Sequence, residues 1–405
     1  MHLLAAAQAH KEELSGLYHT LHRCPGTGFD LSETLGVVHE ELLRLGYAPK
    51  PCGKAGLAAE IRGAKPGKVF LLRADMDGLP IPEETGLDFA AENDHMHACG
   101  HDLHTTMLLG AAKLLKAHAD ELCGTVKLMF QPAEEILAGA KDMIEHGVLE
   151  EPAPDAALMI HVMAGMPFPA GTAIVSGPGV SAPAADYFEI RIQGKGCHGS
   201  SPHTGVDPIT AGAHLVTALQ VLHARELAIT DRAALTIGTF QAGSAANVIP
   251  DTAVLGGTLR AFDEDVRLYL KKRLTEITEV TASAFRAKAT VTFDAGCPTL
   301  LNDTALSAEV TAYLKTLLGT EKAFSVPELE ARFGAAGTKT SGSEDFAYVS
   351  HRVPSIMLAL AAGHPEHGYT HPLHHPQVQF DESVLPVGAA VYAGTAMDWL
   401  SNHTN

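Results

Sequence analysis

The sequence predicts an α/β protein, a mixed sheet covered by helices, with a smaller β-α-β-β-α-β unit inserted into it. Three observations carry this expectation. The N-terminal third alternates strand-like and helix-like stretches, which implies a sheet with helical cover. Between about residues 184 and 294 the rhythm changes to strand, helix, strand, strand, helix, strand, and beyond it a strand and a helix resume the first pattern. The boundaries expected on this basis are 1–183 and 296–405 for the main domain and 184–295 for the insert.

The elements follow in order. After an acidic start read as helical, 53–61 and 68–73 read as strands, 104–117 as a helix, 125–130 as an apolar strand, 138–146 as a helix and 156–160 as a strand. In the insert, 186–193 reads as strand, 208–227 as helix, 233–242 and 247–262 as strands, 264–287 as helix and 289–294 as strand. That order is the ferredoxin-like split unit, complete in itself. The main domain resumes with a strand at 355–361 and a helix at 384–400. In such sheets functional groups are expected just past strand ends.

Composition narrows the function. With 405 residues, 46% hydrophobic and 19% charged, the chain can bury a sizeable core and is neither fibrous nor largely disordered. Acids outnumber bases by 47 to 29, a net charge of -18. Such a surface repels phosphate backbones and anionic lipid, so neither nucleic acid nor a membrane is the expected partner, and a small molecule is. The first ten residues show no basic stretch followed by an apolar run, and no apolar run reaches transmembrane length. The six cysteines are scattered without a C-x-x-C pair, which argues against a disulfide framework and for a reducing, cytoplasmic setting.

The 23 histidines bunch at 95–104 and at 351–375. Four constellations could carry chemistry, three of them with histidine. In His97-Ala98-Cys99-Gly100-His101-Asp102, the thiol and imidazole of Cys99 and His101 are close enough to share a borderline divalent ion, and a thiolate can bridge two. A buried cysteine among surface histidines is the alternative. Gln131-Pro132-Ala133-Glu134-Glu135 follows an apolar strand, where adjacent carboxylates point different ways: one can bind metal while the other moves protons. His161 follows the strand at 156–160. His371-Pro372-Leu373-His374-His375-Pro376 is a loop with restricted backbone whose binding histidine spacing does not identify. Together they supply ligands for two ions with one shared and positions left for water, the make-up of a catalytic site. Two ions about 3.5 to 4 Å apart activate a bridging water. The implied reaction is hydrolysis.

In this order the motifs resemble the dinuclear metal amidohydrolases that include hippurate hydrolases, N-acyl amino acid aminoacylases and auxin-conjugate hydrolases, relatives of aminoacylase and carboxypeptidase G-type metallopeptidases. The landmarks are Arg73-Ala74-Asp75-Met76-Asp77-Gly78-Leu79-Pro80, His97 to Asp102, Gln131 to Glu135, and His161-Val162. In the insert they are Gly194 to His198, Pro202-His203, Asp207 to Ile209, Asn247 to Asp251 and Gly257 to Arg260, followed by Ser343 to Phe346 and Leu373 to Pro376. The resemblance covers almost the whole chain.

The resemblance implies a zinc-peptidase-like catalytic domain, with the insert as a lid and homodimerisation domain. It assigns Cys99, His101, Glu135, His161 and His374 as metal ligands, Cys99 bridging, and Glu134 as general base and acid. His198 would enter the partner subunit's site and hold the developing oxyanion. Asn247 and Arg260 would bind the substrate's carboxylate, and Asp75 would stand behind the ligands. The cofactors implied are two divalent ions, Mn2+ or Zn2+, with Co2+ or Ni2+ also suiting the mixed ligands. The expected activity is hydrolysis of N-acyl-L-amino acids (N-acetyl, N-benzoyl or similar). A dipeptidase or carboxypeptidase using the same site is the alternative; a metal-dependent binding protein without turnover is disfavoured by the retention of Glu134, His198 and every ligand. Three stretches depart from the family pattern. Cys197 stands beside His198, Ile136-Leu137-Ala138 is bulkier than the usual glycine-rich turn, and Cys24 to Phe29 replaces a Pro-Glu stretch. The last two are candidates to line the acyl pocket.

Overall fold

The computed structural model describes residues 3–333 and 342–404. The chain forms two compact units. One takes the chain up to Ser181 and again from Leu301 and from Asp345; the other is built on Ala182–Leu300.

The first unit is a mixed α/β fold around an eight-stranded sheet. Its order is Lys50–Cys52, Gly56–Arg62, Cys123–Gln131, Lys65–Asp75, Ala156–Met163, Ser355–Ala361, Ala173–Val175, Ala323–Ser325. The central four are mutually parallel, so Asp75, Gln131, Met163 and Ala361 end at one edge. Parallel strands are buried on both faces, and the runs Val69-Phe70-Leu71-Leu72 and Ala156-Ala157-Leu158-Met159 have no polar alternation for that reason. The helix His101–Ala117 is buried on nearly every side. It packs against the helix Leu385–Asn402, where a Cβ on Gly388 would stand 1.8 Å from Met107 Sδ. The crossing requires glycine.

The sheet opens where the site needs room. Direct pairing of Lys65–Asp75 with Ala156–Met163 ends at Arg73 opposite Met159. Beyond that point side chains take up the backbone groups. The Tyr392 hydroxyl donates to Arg73 O (2.7 Å) and accepts from Ile160 N–H (3.0 Å), and His104 Nε2 accepts from Val162 N–H (2.8 Å). Buried backbone groups must find partners, and here the partners hold a crevice open.

Several elements differ from the sequence expectation. The helix expected at 104–117 begins at His101, because Gly100 adopts a left-handed φ of 83° directly before it. A Cβ at Gly100 would also lie 2.4 Å from Val162 Cγ2. The strand expected at 156–160 runs on to Met163, so His161 lies within it. The acidic start resolves into helices Leu3–Gln8, Lys11–His22 and Ser32–Arg44.

The second unit has strands Ala184–Gln193, Ala233–Ala242, Thr252–Ala261 and Lys288–Cys297, in spatial order 2-3-1-4, all antiparallel. Helices Pro208–Leu219 and Glu264–Ala284 complete a β-α-β-β-α-β chain order. The alternate residues Phe188, Ile190 and Ile192 share one core with Leu215 and Leu219 of the first helix and Leu270 and Leu274 of the second. The strand expected at 247–262 is broken at Pro250, which lacks a ladder N–H: Val248–Ile249 pairs with Cys197–His198 and the main strand begins at Thr252. The helix expected at 208–227 ends at Leu219, followed by a separate turn at Leu222–Glu226. Among the described residues no helix is long and apolar enough to cross a membrane.

Tyr392→Phe removes a hydroxyl that serves two buried backbone groups. It is expected to cost about 1–3 kcal/mol, read as a lowered denaturation midpoint in urea, and an unchanged midpoint would show that the two strands close up without it.

Candidate metal centre and active site

Three strands, through their C-terminal ends, and two loops bring the reactive side chains together within the first unit. Asp75 ends its strand at 0% exposure, with Oδ2 receiving Arg73 Nη1 (2.6 Å) and Oδ1 paired to His104 Nδ1 (2.6 Å). Because His104 Nε2 accepts from Val162 N–H, its proton sits on Nδ1 and points at Asp75. Burial pushes the His104 pKa down to about 4, further than Asp75 raises it, so the ring stays neutral.

Two residues further on, Asp77 organises the glutamate turn. Its Oδ1 accepts from Glu134 N–H (3.0 Å) and its Oδ2 from Glu135 N–H (3.1 Å). The turn is tight: Ala133 and Leu137 both have positive φ, and Leu137 N–H donates to Glu134 O at 2.8 Å. With the backbone clamped, both carboxylates are held within about 4 Å of His101 Nε2.

The five expected ligands and Glu134 converge here. Cys99 Sγ is 3.5 Å from His161 Nε2 and 3.3 Å from His374 Nε2. Glu135 Oε1 lies 3.5 Å from His374 Nε2 and 3.9 Å from His101 Nε2, and Glu134 Oε2 lies 4.0 Å from His101 Nε2. His161 Nδ1 contacts Val162 O (2.7 Å), which leaves Nε2 facing the thiol. His374 has a φ of 65°, and its N–H donates to Ala98 O, tying its loop to the cysteine's. Among the groupings of possible ligands, Cys99-His101-His161 and Cys99-Glu135-His374 share only Cys99, while Glu134 groups with His101 and Glu135 and also with Glu344 and Asp345.

The site's donor set is incomplete without a further partner. Burial raises the Glu135 pKa to about 7 and pushes the Cys99 thiol well up, so neither readily ionises alone. At His101 burial acts downward, but Asp75 and Cys99 outweigh it and hold the pKa well above the usual value. His101 Nε2 and Glu135 Oε1 are buried with no hydrogen-bond partner among the described residues. A buried thiol, carboxylate and imidazoles with orphaned lone pairs fit divalent ions of borderline softness, which would keep the thiolate and neutral imidazole forms.

A second layer escaped the sequence reading. Arg73, buried at 1% exposure, also donates to Gln131 Oε1 (2.8 Å) and Asp345 Oδ1 (3.1 Å), and Asp345 Oδ2 accepts from Ala140 N–H (2.9 Å). Asp102, beside His101, pairs with His22 Nδ1 at 2.6 Å, and His22 Nε2 faces Glu83 Oε1 at 3.2 Å. Arg73, Asp75, Asp77 and Asp345 all lay within quoted motifs, and only Asp75 had been given a role. In the second unit, His198 and Asn247 lie together in the short ribbon: Val248 pairs with His198, and Gly199 N–H donates to Asn247 O (2.8 Å). Arg260 lies on the strand Thr252–Ala261, its guanidinium 5.4 Å from the Tyr187 ring centre. The other bunched histidines His351, His364, His367, His371 and His375 take no part in these triads.

Comparison with known proteins gives concordant results. The pattern of peptidase family M20/M25/M40 matches residues 71–398. The chain is 38% identical to N-acetyl-L-cysteine deacetylase of Bacillus subtilis (strain 168) over 378 residues, 93% of this chain and 85% of that one. It is 35% identical to IAA-amino acid hydrolase ILR1-like 4 of Arabidopsis thaliana over 391 residues, 95% and 85% of the two chains. Its fold matches the crystal structure of Bacillus subtilis YXEP, described as a dinuclear metal binding peptidase from the M20 family, with TM-score 0.77, 31% identity, and coverage of 97% and 99%.

The His22 pair sets a pH dependence of stability. Burial acts to lower the His22 pKa, but the bonds to Asp102 and Glu83 outweigh it and hold it at about 9 against 6.5 in an unfolded chain. The folded state therefore binds the proton more tightly, and the stabilisation is full below pH 6.5, declines from there and is gone above pH 9. A shift of this size corresponds to at most about 3 kcal/mol. Urea midpoints measured from pH 6 to 10 should fall in wild type and flatten in His22→Gln; parallel curves would remove the pair from the account.

Proposed function

The chain belongs to peptidase family M20/M25/M40 and is a metal-dependent amidohydrolase; from that premise we propose that it hydrolyses N-acyl-L-amino acids, releasing a carboxylic acid and the free amino acid. The observation that carries this reading is the clamped glutamate turn, which sets a proton-moving carboxylate beside two three-ligand triads. The substrate class is supported by relatives whose names describe acyl derivatives of amino acids.

In this reading Cys99, His101 and His161 hold one divalent ion and Cys99, Glu135 and His374 the other, with manganese or zinc, and also cobalt or nickel, suited to the set. The ions, when bound, supply Lewis acidity toward the amide carbonyl and an acidified water. Glu134 accepts the proton from the attacking water and delivers it to the departing amine nitrogen. Asp77 fixes the backbone of Glu134 and stands 3.4 Å from His101 Nδ1, the nitrogen turned away from the glutamates, while His104 orients Asp75 nearby.

His198 donates to the developing oxyanion from the partner subunit. Its Nδ1 accepts from Ser200 N–H at 3.1 Å, which leaves Nε2 as the ring nitrogen available to donate. Asn247 and Arg260 bind the amino acid's carboxylate, Arg260 through its bidentate fork. The inserted unit, 184–295, is then a ferredoxin-like lid through which a homodimer forms, between catalytic segments 1–183 and 296–405, in a cytoplasmic enzyme.

The direct test is amine release from a panel of N-acetyl, longer N-acyl and N-benzoyl amino acids alongside free dipeptides, with manganese- or zinc-loaded protein. Cleavage of the N-acyl compounds is expected, and preference for free dipeptides would move the chain to the peptidases. Glu134→Gln should retain its metal content while losing at least about 100-fold in kcat; wild-type turnover would remove Glu134 from its role. Mixing inactive Glu134→Gln and His198→Ala subunits should regain activity through heterodimers that keep one complete site. No recovery in a mixture shown to exchange subunits would contradict sharing.

A further inference from the structure

The residues after the glutamate turn and the loop at 24–29 meet in space. Ile136 follows Glu134 and Glu135 directly, and the turn leaves it 48% exposed. Against it lies the loop at 24–29: a Cβ on Gly28 would be 3.3 Å from Ile136 Cδ1, and Gly28 has a φ of 55°. Next to Gly28 is the half-buried Phe29, whose ring lies 4.7 Å from Lys54 Nζ. Large side chains are disfavoured at position 28 on both counts, conformation and space.

This apolar shelf is anchored to the site and does not drift with the surface. Gly78 N–H donates to Gly26 O at 2.7 Å, and Thr27 bridges to Gly78. The neighbouring residue, Asp77, accepts from the N–H groups of Glu134 and Glu135. One dipeptide, Asp77-Gly78, therefore fixes both the turn that carries Ile136 and the loop that carries Gly28 and Phe29. An exposed isoleucine held one residue from a reactive carboxylate offers its binding energy to whatever occupies the site.

We propose that Ile136, with the space left at Gly28 beside it, forms the acyl subsite and selects apolar acyl groups larger than acetyl. The inference rests on the N-acyl amino acid reading and deepens it. The substrate has two ends of different chemistry: an amino acid carboxylate that needs cationic or N–H donors, and an acyl group that needs none. Carbon surface from Ile136 suits only the second. Each methylene seated on such a surface adds to transition-state binding, and acetyl has the fewest carbons to offer it.

The test uses full-length, metal-loaded enzyme and N-acetyl-, N-butanoyl-, N-hexanoyl- and N-benzoyl-methionine. In wild type kcat/KM should rise from acetyl to hexanoyl. The hexanoyl-to-acetyl ratio should fall about tenfold in Ile136→Ala and recover in Ile136→Leu. Titration calorimetry of hexanoate against acetate supplies a readout independent of turnover: the preference for hexanoate should shrink in Ile136→Ala. If all compounds are cleaved but neither ratio responds to Ile136, the shelf is not the acyl subsite, while the N-acyl reading stands. If wild type cleaves no N-acyl amino acid, that reading fails and the shelf assignment fails with it.

Discussion

The structure is organised around one electrostatic constraint: several acidic groups must be buried within a few ångströms of one another at the edge of a sheet. Asp75, Asp77, Glu134, Glu135 and Cys99 meet there, all buried or nearly so. Isolated buried charges are prohibitive, and each must be paired, hydrogen-bonded or neutralised. Arg73 answers part of the demand from below, its fork joining Asp75, Gln131 and Asp345 from three separate segments. Asp77 is satisfied by two backbone N–H groups. What remains above, the thiol, Glu135 and His101, is left for divalent ions, and their binding would be worth most where protein partners are missing.

The fold supplies this arrangement by opening its sheet. Parallel strands end at a common edge, where crevices form, and here the ladder between two central strands stops early. Tyr392 and His104 then do the bonding that a continued ladder would have done. His104 links two functions by this means, holding the strand that carries His161 on one side and orienting Asp75 on the other. The same economy recurs at Asp77-Gly78, which fixes the glutamates and the loop beside them.

Much of this was legible in the sequence, for physical reasons that can be named. Apolar runs without alternation marked the central parallel strands, and Cys99, His101 and the paired glutamates stood where such strands and their loops deliver side chains. His161 was found by its place after four apolar residues, although its strand continues past it. The helix start was misjudged by three residues because Gly100 acts as a left-handed lead-in, a role the letters Cys-Gly-His do not display. Pro250 carried a readable warning that the strand at 247–262 must break. The short strands Ala173–Val175 and Ala323–Ser325 hold too few residues to show a period. The supporting residues were hidden for a different reason. Arg73, Asp77, His104 and His22 act through contacts between segments far apart in the chain, which no local pattern encodes.

In the proposed reading one thiolate would join two ion sites, and cobalt substitution tests this most directly. Apoprotein titrated with Co2+ should bind two equivalents per chain and develop an intense thiolate-to-cobalt absorption in the near ultraviolet. In Cys99→Ser that band should vanish, with the affinities of both sites reduced. A single equivalent in wild type, or a band and stoichiometry that survive the substitution, would contradict the account.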